Sequence, residues 1–213
     1  MAQRPVFVPG KNGCFADVFM PEFTWNGGFA VSQKQKNIDA LHQSFNRRFP
    51  DKKILEISSK SRQESGISLS AFNLKKHVPS LGKSVPLECV FQGGKVFSDG
   101  GPYTDLYTVS PRDAKRDPRL KSGGRLISFS FEGKQIPLNP KTAFYDWLYI
   151  NALMENHELA EQLLEFDAFT DIEFNPEKSI NCQAKAAALF VAVYRQGLIE
   201  QCKDFDTFIR LLR

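Results

Sequence analysis

Apolar positions in this chain follow two rhythms, a helical one and an alternating one. Between Pro140 and Met154, Phe144, Trp147, Leu148 and Asn151 fall at i, i+3, i+4 and i+7, with Asp146, Tyr149 and Leu153 on a neighbouring stripe. Thr142 has N-cap chemistry, so the pattern predicts a helix over 142–154 with a carboxylate in its first turn. Ser32 and Gln35 have capping-box spacing ahead of Ile38, Leu41 and Phe45, which predicts a second helix stopped by Pro50. Another runs over 155–166, with Leu159, Leu163 and Leu164 inward. Ser179 caps a helix over 180–196 that Gly197 stops, and Asp204 caps a last one carrying Phe205, Phe208, Ile209 and Leu212.

The alternating rhythm predicts strands. Leu126 to Phe131 sets Ile127, Phe129 and Phe131 against Ser128 and Ser130, and Gly133 turns the chain back toward Ile136 and Leu138. Ile54–Ile57 reads as a short strand, and Ser68–Leu74 as a second strand or an extended turn. Val85–Phe91 and Lys95–Phe97 read as strands joined at Gly93 and Gly94. Residues 1–31, broken by Pro5, Pro9 and Pro21, read as an irregular arm with one short strand at most, and 167–176 as an acidic, aromatic loop. Together the elements predict an α+β fold in one domain over 1–213, with a different, β-rich texture across 75–135.

Composition adds an aromatic core, since 42% of the chain is hydrophobic and nineteen residues are Phe. A net charge of +4 suits an anionic ligand without marking a nucleic-acid binder. Ser110 to Arg125 concentrates that charge, with Arg112, Lys115, Arg116, Arg119, Lys121 and Arg125 against Asp113 and Asp117; it reads as a phosphate-contacting segment or as solvated surface. Cys14, Cys89, Cys182 and Cys202 are far apart and lack metal-ligand spacing. With no signal-like apolar run and no membrane-length segment, these predict a reduced, cytoplasmic protein.

The familiar catalytic patterns are missing. His42, His77 and His157 stand in unrelated contexts, and there is no GxSxG, GxGxxG or phosphate-loop motif. What remains is carboxylates among aromatics and glycine turns: Asp99, Asp105, Asp146, Asp167, Asp171 and Glu173. That chemistry suits cleavage of a glycosidic or N-glycosidic bond, whose oxocarbenium-like transition state an anion stabilises. Asp146 equally reads as an ordinary helix-start residue. The Gly100-Gly101 turn permits close backbone approach to a ligand, Asn181 and Gln183 stand where a helix start could receive an anion, and Lys60 and Asn73 end apolar runs that could line a cleft.

Several blocks together resemble the NADAR superfamily, and within it the antitoxins paired with DarT-type toxins. They are Phe29–His42 with its Gln-Lys-Gln-Lys, Leu55–Ser61, Leu69-Ser-Ala-Phe-Asn-Leu74, Gly100–Leu106, Phe131–Ala152, and Asp167–Leu189 with Ser-Ile-Asn-Cys-Gln-Ala inside it. The resemblance spans most of the chain. It implies a helical NADAR core with a small sheet, 75–135 being a branch-specific insertion. It implies hydrolysis of the bond between ADP-ribose and guanine in DNA, undoing the toxin's modification. The wider family heads its central helix with a catalytic Glu, and the register places Asp146 there, with Asp171 as second carboxylate. Tyr103, Trp147 and Tyr149 would then contact base or ribose, Gly100 and Gly101 the diphosphate, Lys60, Asn73, Asn181 and Gln183 the remainder of the ligand, and Arg112, Arg116, Arg119 and Lys121 the DNA. The expected partners are ADP-ribosylated DNA and the toxin, with no metal, no cofactor and a monomeric state. A non-catalytic antitoxin that binds its toxin, or a hydrolase of free ADP-ribosyl metabolites, would fit the same residues.

Overall fold

The structure is a computed structural model describing residues 1–11 and 15–212. Four strands precede the first helix: β1 (Ala2–Gln3), β2 (Val6–Pro9), β3 (Ala16–Phe19) and β4 (Glu22–Phe23). Next come α1 (Val31–Asn46), β5 (Ile54–Glu56), α2 (Glu64–Ser68), β6 (Lys75–Val78), β7 (Lys83–Pro86), α3 (Leu87–Gly93) and β8 (Lys95–Phe97). The middle of the chain holds α4 (Pro111–Arg116), α5 (Arg119–Ser122), β9 (Leu126–Phe131) and β10 (Lys134–Ile136). The C-terminal part holds α6 (Ala143–Met154), α7 (His157–Leu164), β11 (Ala168–Thr170), α8 (Gln183–Arg195) and α9 (Phe205–Leu211).

The organising sheet has the order β3-β2-β11-β5. Strand β11 runs antiparallel to β2 and parallel to β5, pairing Ala168 with Ile54 and Thr170 with Glu56. Alternate side chains leave opposite faces of a sheet. Val6, Val8, Ile54 and Ala168 point to one face, where Ile38, Leu41 and Phe45 of α1 cover them. Phe7, Leu55 and Phe169 point to the other and join the large core built on α6 and α8. Alanines at 184, 186, 187, 188 and 192 are all buried and let α8 lie close to both sheet and α6. Helix α6 is apolar nearly all round because it is central rather than peripheral. Helix α3 and strand β9 contribute Leu87, Val90, Phe91, Phe129 and Phe131 to the same core.

The mixed α/β class matches the sequence reading, and several elements within it do not. Among the described residues, 1–31 hold four strands where one short strand was expected. The segment 167–176, read as a loop, contains the central strand β11, buried on both faces and therefore showing no alternation. Val85–Phe91 is not one strand: Pro86 closes β7 and caps α3, whose residues are all buried. Ser68–Leu74 is the end of α2 and the turns after it.

The caps shift as well. Cys182, not Ser179, precedes α8; Ser32 lies inside the first turn of α1; and the Thr142 hydroxyl turns away from the helix backbone. Ile127 is exposed and Ser128 buried, because the β8–β9 register shifts between Val96 and Phe97. Cys89, Cys182 and Cys202 are free and buried, while Cys14 lies outside the described residues. Among the described residues no helix is long and apolar enough to cross a membrane.

Candidate active site

One large cleft, about 850 Å³, opens where the C-terminal ends of β5 and β11 meet α3, α4 and the start of α8. That size suits a nucleotide-like ligand. Ser58, Ser59 and Lys60 come from the turn after β5; Glu88, Phe91 and Gln92 from α3; Arg112, Lys115 and Arg116 from α4; and Asp171, Glu173 and Phe174 from the segment after β11. Ligands gather at the ends of parallel strands because side chains and free backbone groups converge there.

The α3 wall carries a polar relay. Glu88 sits in the first turn, 5% exposed, and its Oε1 accepts 2.9 Å from Gln92 Nε2, while Gln92 Oε1 accepts 2.7 Å from Lys95 Nζ. Lys115 of α4 reaches Glu88 at 3.7 Å from the solvent side. Burial lowers the Lys95 ammonium below the usual lysine range; Glu88 opposes the shift and Lys115 reinforces it. Tyr145 closes this wall, its hydroxyl pushed well above the normal range by burial and then by the charge of Glu88.

The opposite wall carries Asp171, 8% exposed. Its Oδ1 accepts 3.0 Å from the Glu173 amide. Burial first, then the neighbouring charge of Glu56, raises its carboxyl to about 8. Gln183 braces this wall: its Nε2 donates 2.6 Å to the Ile57 carbonyl, and its Oε1 accepts 2.8 Å from the Ala71 amide. Asn181 lines the cleft with a buried Oδ1 that has no protein partner. Lys178 and Lys60 complete the basic rim.

Of the residues singled out in the sequence, Asp171, Lys60, Asn181, Gln183, Arg112 and Arg116 line this one cleft. Asp146 does not join them. It faces α8, 1% exposed, where Oδ2 accepts 2.7 Å from the Thr142 hydroxyl and 3.3 Å from Lys185 Nζ. The acidic helix head that lines the cleft is Glu88. Trp147, partly buried, packs edge-on against Phe131 and Phe205 at the border of the core, and Tyr149, within the core, donates its hydroxyl to the Leu69 carbonyl. Asn73 fastens its own turn, donating 2.9 Å to the Ile67 carbonyl. A Cβ on Gly101 would overlap the Lys95 carbonyl, so that glycine serves chain packing, while one on Gly100 would meet only the Tyr103 hydroxyl at the end of its side chain. Tyr103 stacks on Phe97 beneath the Arg119 guanidinium. Arg119 is held by Asp105 at 2.6 Å and Asp117 at 2.9 Å, and Lys121 is exposed outside the cleft lining.

Glu88, Gln92, Lys95 and Tyr145 are cleft residues the sequence reading missed, while Lys115 belongs to the basic run it had named. The signal was present: Leu87, Val90 and Phe91 stand at i, i+3 and i+4 behind Pro86, with an acid in the first turn. Reading Val85–Phe91 as a strand put Glu88 at the middle of a sheet rather than at a helix head.

These elements define an α+β protein built around one basic cleft with buried carboxylates in its walls. The profile of the DarT1-associated NADAR antitoxin family matches residues 2–213, essentially the whole chain, and the chain belongs to that family. The family is one of antitoxins, associated by name with a DarT1 toxin. No curated protein matches the chain.

Proposed function

We propose that this antitoxin hydrolyses the N-glycosidic bond between ADP-ribose and guanine bases in DNA, reversing the modification made by its toxin. The observation that carries the reading is the presence of Glu88 and Asp171 in one cleft, with Lys95 in its wall and a rim of Lys60, Arg112, Lys115, Arg116 and Lys178. Cleaving an N-glycosidic bond develops positive charge at the sugar carbon, which a desolvated carboxylate stabilises, and it needs a base to activate water. Glu88 fits that place, oriented by Gln92 and anchored through it to Lys95. The cations suit the diphosphate and the DNA strand on either side. Phe72 and Phe174 bring aromatic rings to the cleft for bases, and Asn181 Oδ1 an acceptor for a ribose hydroxyl.

An oligonucleotide carrying ADP-ribose on one guanine tests the proposal. The expected result is release of ADP-ribose and recovery of the unmodified oligonucleotide under multiple-turnover conditions. Neutralisation of the toxin only in a stoichiometric complex, without turnover, would replace it with the direct-binding reading. Faster turnover of a free ADP-ribosylated nucleoside than of DNA would move the substrate to small metabolites.

A further inference from the structure

Behind Asp171 lies a second carboxylate, sealed from solvent. Glu56 ends β5 and pairs in register with Thr170 at the end of β11. Its Oε2 accepts 2.6 Å from the Thr170 hydroxyl and its Oε1 accepts 2.8 Å from the Ile172 amide, while the Ser58 hydroxyl supplies a further hydrogen bond. The Thr170 hydroxyl oxygen lies 2.8 Å from His42 Nε2 on α1. Counting protons fixes the direction of this chain. With Glu56 ionised, Thr170 gives its one hydroxyl proton to Glu56, so His42 Nε2 carries its own proton and donates to Thr170. Burial holds the imidazole neutral, lowering its titration to about 4 against the opposing pull of Asp39. The network therefore runs His42 Nε2–H to Thr170 Oγ1–H to Glu56, and every donor in it ends on Glu56.

Asp171 is differently placed. It receives the Glu173 amide and a contact from Gln183, and it faces the cleft. The titratable groups around it are Glu173, whose carboxylate is paired with Lys34 at 3.0 Å, and the buried, neutral Tyr145, Tyr149 and Cys182. Lys60 and Lys178 stand on the rim of the same cleft. Two neighbouring buried carboxylates cannot both ionise cheaply, and the charge of Glu56 is one of the causes that raise Asp171. Burial raises Glu56 as well, but the Ile172 amide and the Thr170 and Ser58 hydroxyls oppose that shift, so these donors favour the anion at Glu56 and leave the proton on Asp171.

We propose that Asp171 is the general acid of the reaction and that Glu56 is a positioning residue that keeps the proton on it. This rests on the hydrolase reading above. The bond from the ribose anomeric carbon to the guanine amine breaks, and its electron pair stays on nitrogen. The Asp171 proton goes to that nitrogen and restores the amino group. The oxygen of water bonds to the anomeric carbon, and one water proton goes to Glu88. The products are guanine in DNA and free ADP-ribose, and the proton on Glu88 returns through solvent to Asp171.

The test is the pH profile of kcat/KM on the ADP-ribosylated oligonucleotide. Activity needs Asp171 protonated, so it falls as pH rises through about 8 in the wild type. Glu56→Gln removes the charge but keeps the shape, because its amide can donate to Thr170 while Thr170 donates to the other tautomer of His42. The alkaline limb should move to lower pH by a unit or more, costing the variant about tenfold or more extra activity above pH 8 than at pH 6. A uniform loss with the limb unmoved overturns the proposal. If the variant does not fold, carboxyl NMR of the wild type decides: the resonance missing in Asp171→Asn should titrate well above the ordinary aspartate range, and titration near 4 overturns the assignment. Absence of any ADP-ribose release at any pH would defeat the hydrolase reading, and the NMR titration would still decide whether Asp171 holds its proton.

Discussion

Tyr149, fully buried on α6, donates a 2.8 Å hydrogen bond from its hydroxyl to the carbonyl of Leu69, eighty positions earlier in the chain. The bond anchors the turn that delivers Ser70, Ala71 and Phe72 to the cleft. Tyr149→Phe leaves that carbonyl buried without a donor, at a cost of about 1–3 kcal/mol. At roughly 2–4 °C per kcal/mol for a chain of this size, a thermal melt should fall by several degrees. An unchanged melt would mean that another donor reaches the carbonyl.

Glu88→Gln and Asp146→Asn should separate chemistry from packing. The first removes the carboxylate facing the cleft and should lower kcat by about 10²- to 10⁴-fold with little change in melting temperature. The second weakens the contacts of Asp146 with Thr142 and Lys185, so it should reduce stability by about 1–3 kcal/mol while turnover per folded molecule holds within a few fold. The opposite ranking, with Asp146→Asn inactive and folded, would put the reacting sugar against α6 instead.

Salt dependence should follow position rather than charge count. Arg112, Lys115 and Arg116 line the cleft, whereas Arg119 is engaged by Asp105 and Asp117. Neutralising Arg112 or Arg116 should reduce the slope of log affinity against log salt by about one each for modified single-stranded DNA. Neutralising Arg119 or Lys121 should leave the slope alone. Equal effects from all four would mean that the strand runs over α5 as well.

Gly101 has a left-handed φ of +92° and lies against the Lys95 carbonyl. Gly101→Ala therefore combines an unfavourable backbone with a steric overlap on β8 and should lower the melting temperature. The dissociation constant of free ADP-ribose, measured by calorimetry on the folded fraction, should stay near the wild-type value. A loss of binding in a stably folded variant would return the glycine turn to the ligand.

Asp171 also predicts a pH dependence of stability. Its carboxyl is raised from an ordinary value of 3.8 to about 8 in the fold, so the native state holds a proton that the unfolded state has already released. Stability from this group is fully present below pH 4 and is lost as pH rises through 8. Asp171→Asn removes that loss, so the variant should gain stability relative to wild type as pH rises from 5 to 8.5. Denaturant melts at a series of pH values measure the difference, and parallel curves would place the Asp171 carboxyl in the ordinary range.

The sequence alone determined what local periodicity and composition can encode. Helices at 143–154 and 205–211, the 126–136 hairpin and the aromatic core follow from spacing, turn residues and amino-acid type. Asp171, Lys60, Arg112, Arg116, Asn181 and Gln183 could be named because polar groups at element ends and in a basic run carry a local signal. Tertiary structure decided the remainder. Glu88 became a cleft residue because the packing of α3 sets its first turn in the cleft wall, and the short helical spacing of Leu87, Val90 and Phe91 does not say which wall that helix will form. Strand β11 was invisible, having only three residues and both faces covered. The joining of Glu56, Thr170 and His42 depends on a parallel pairing across more than a hundred residues and on the packing of α1 over the sheet. No spacing rule in one dimension reports such a contact, because the register of a long-range strand pair is set by which side chains fill the shared core.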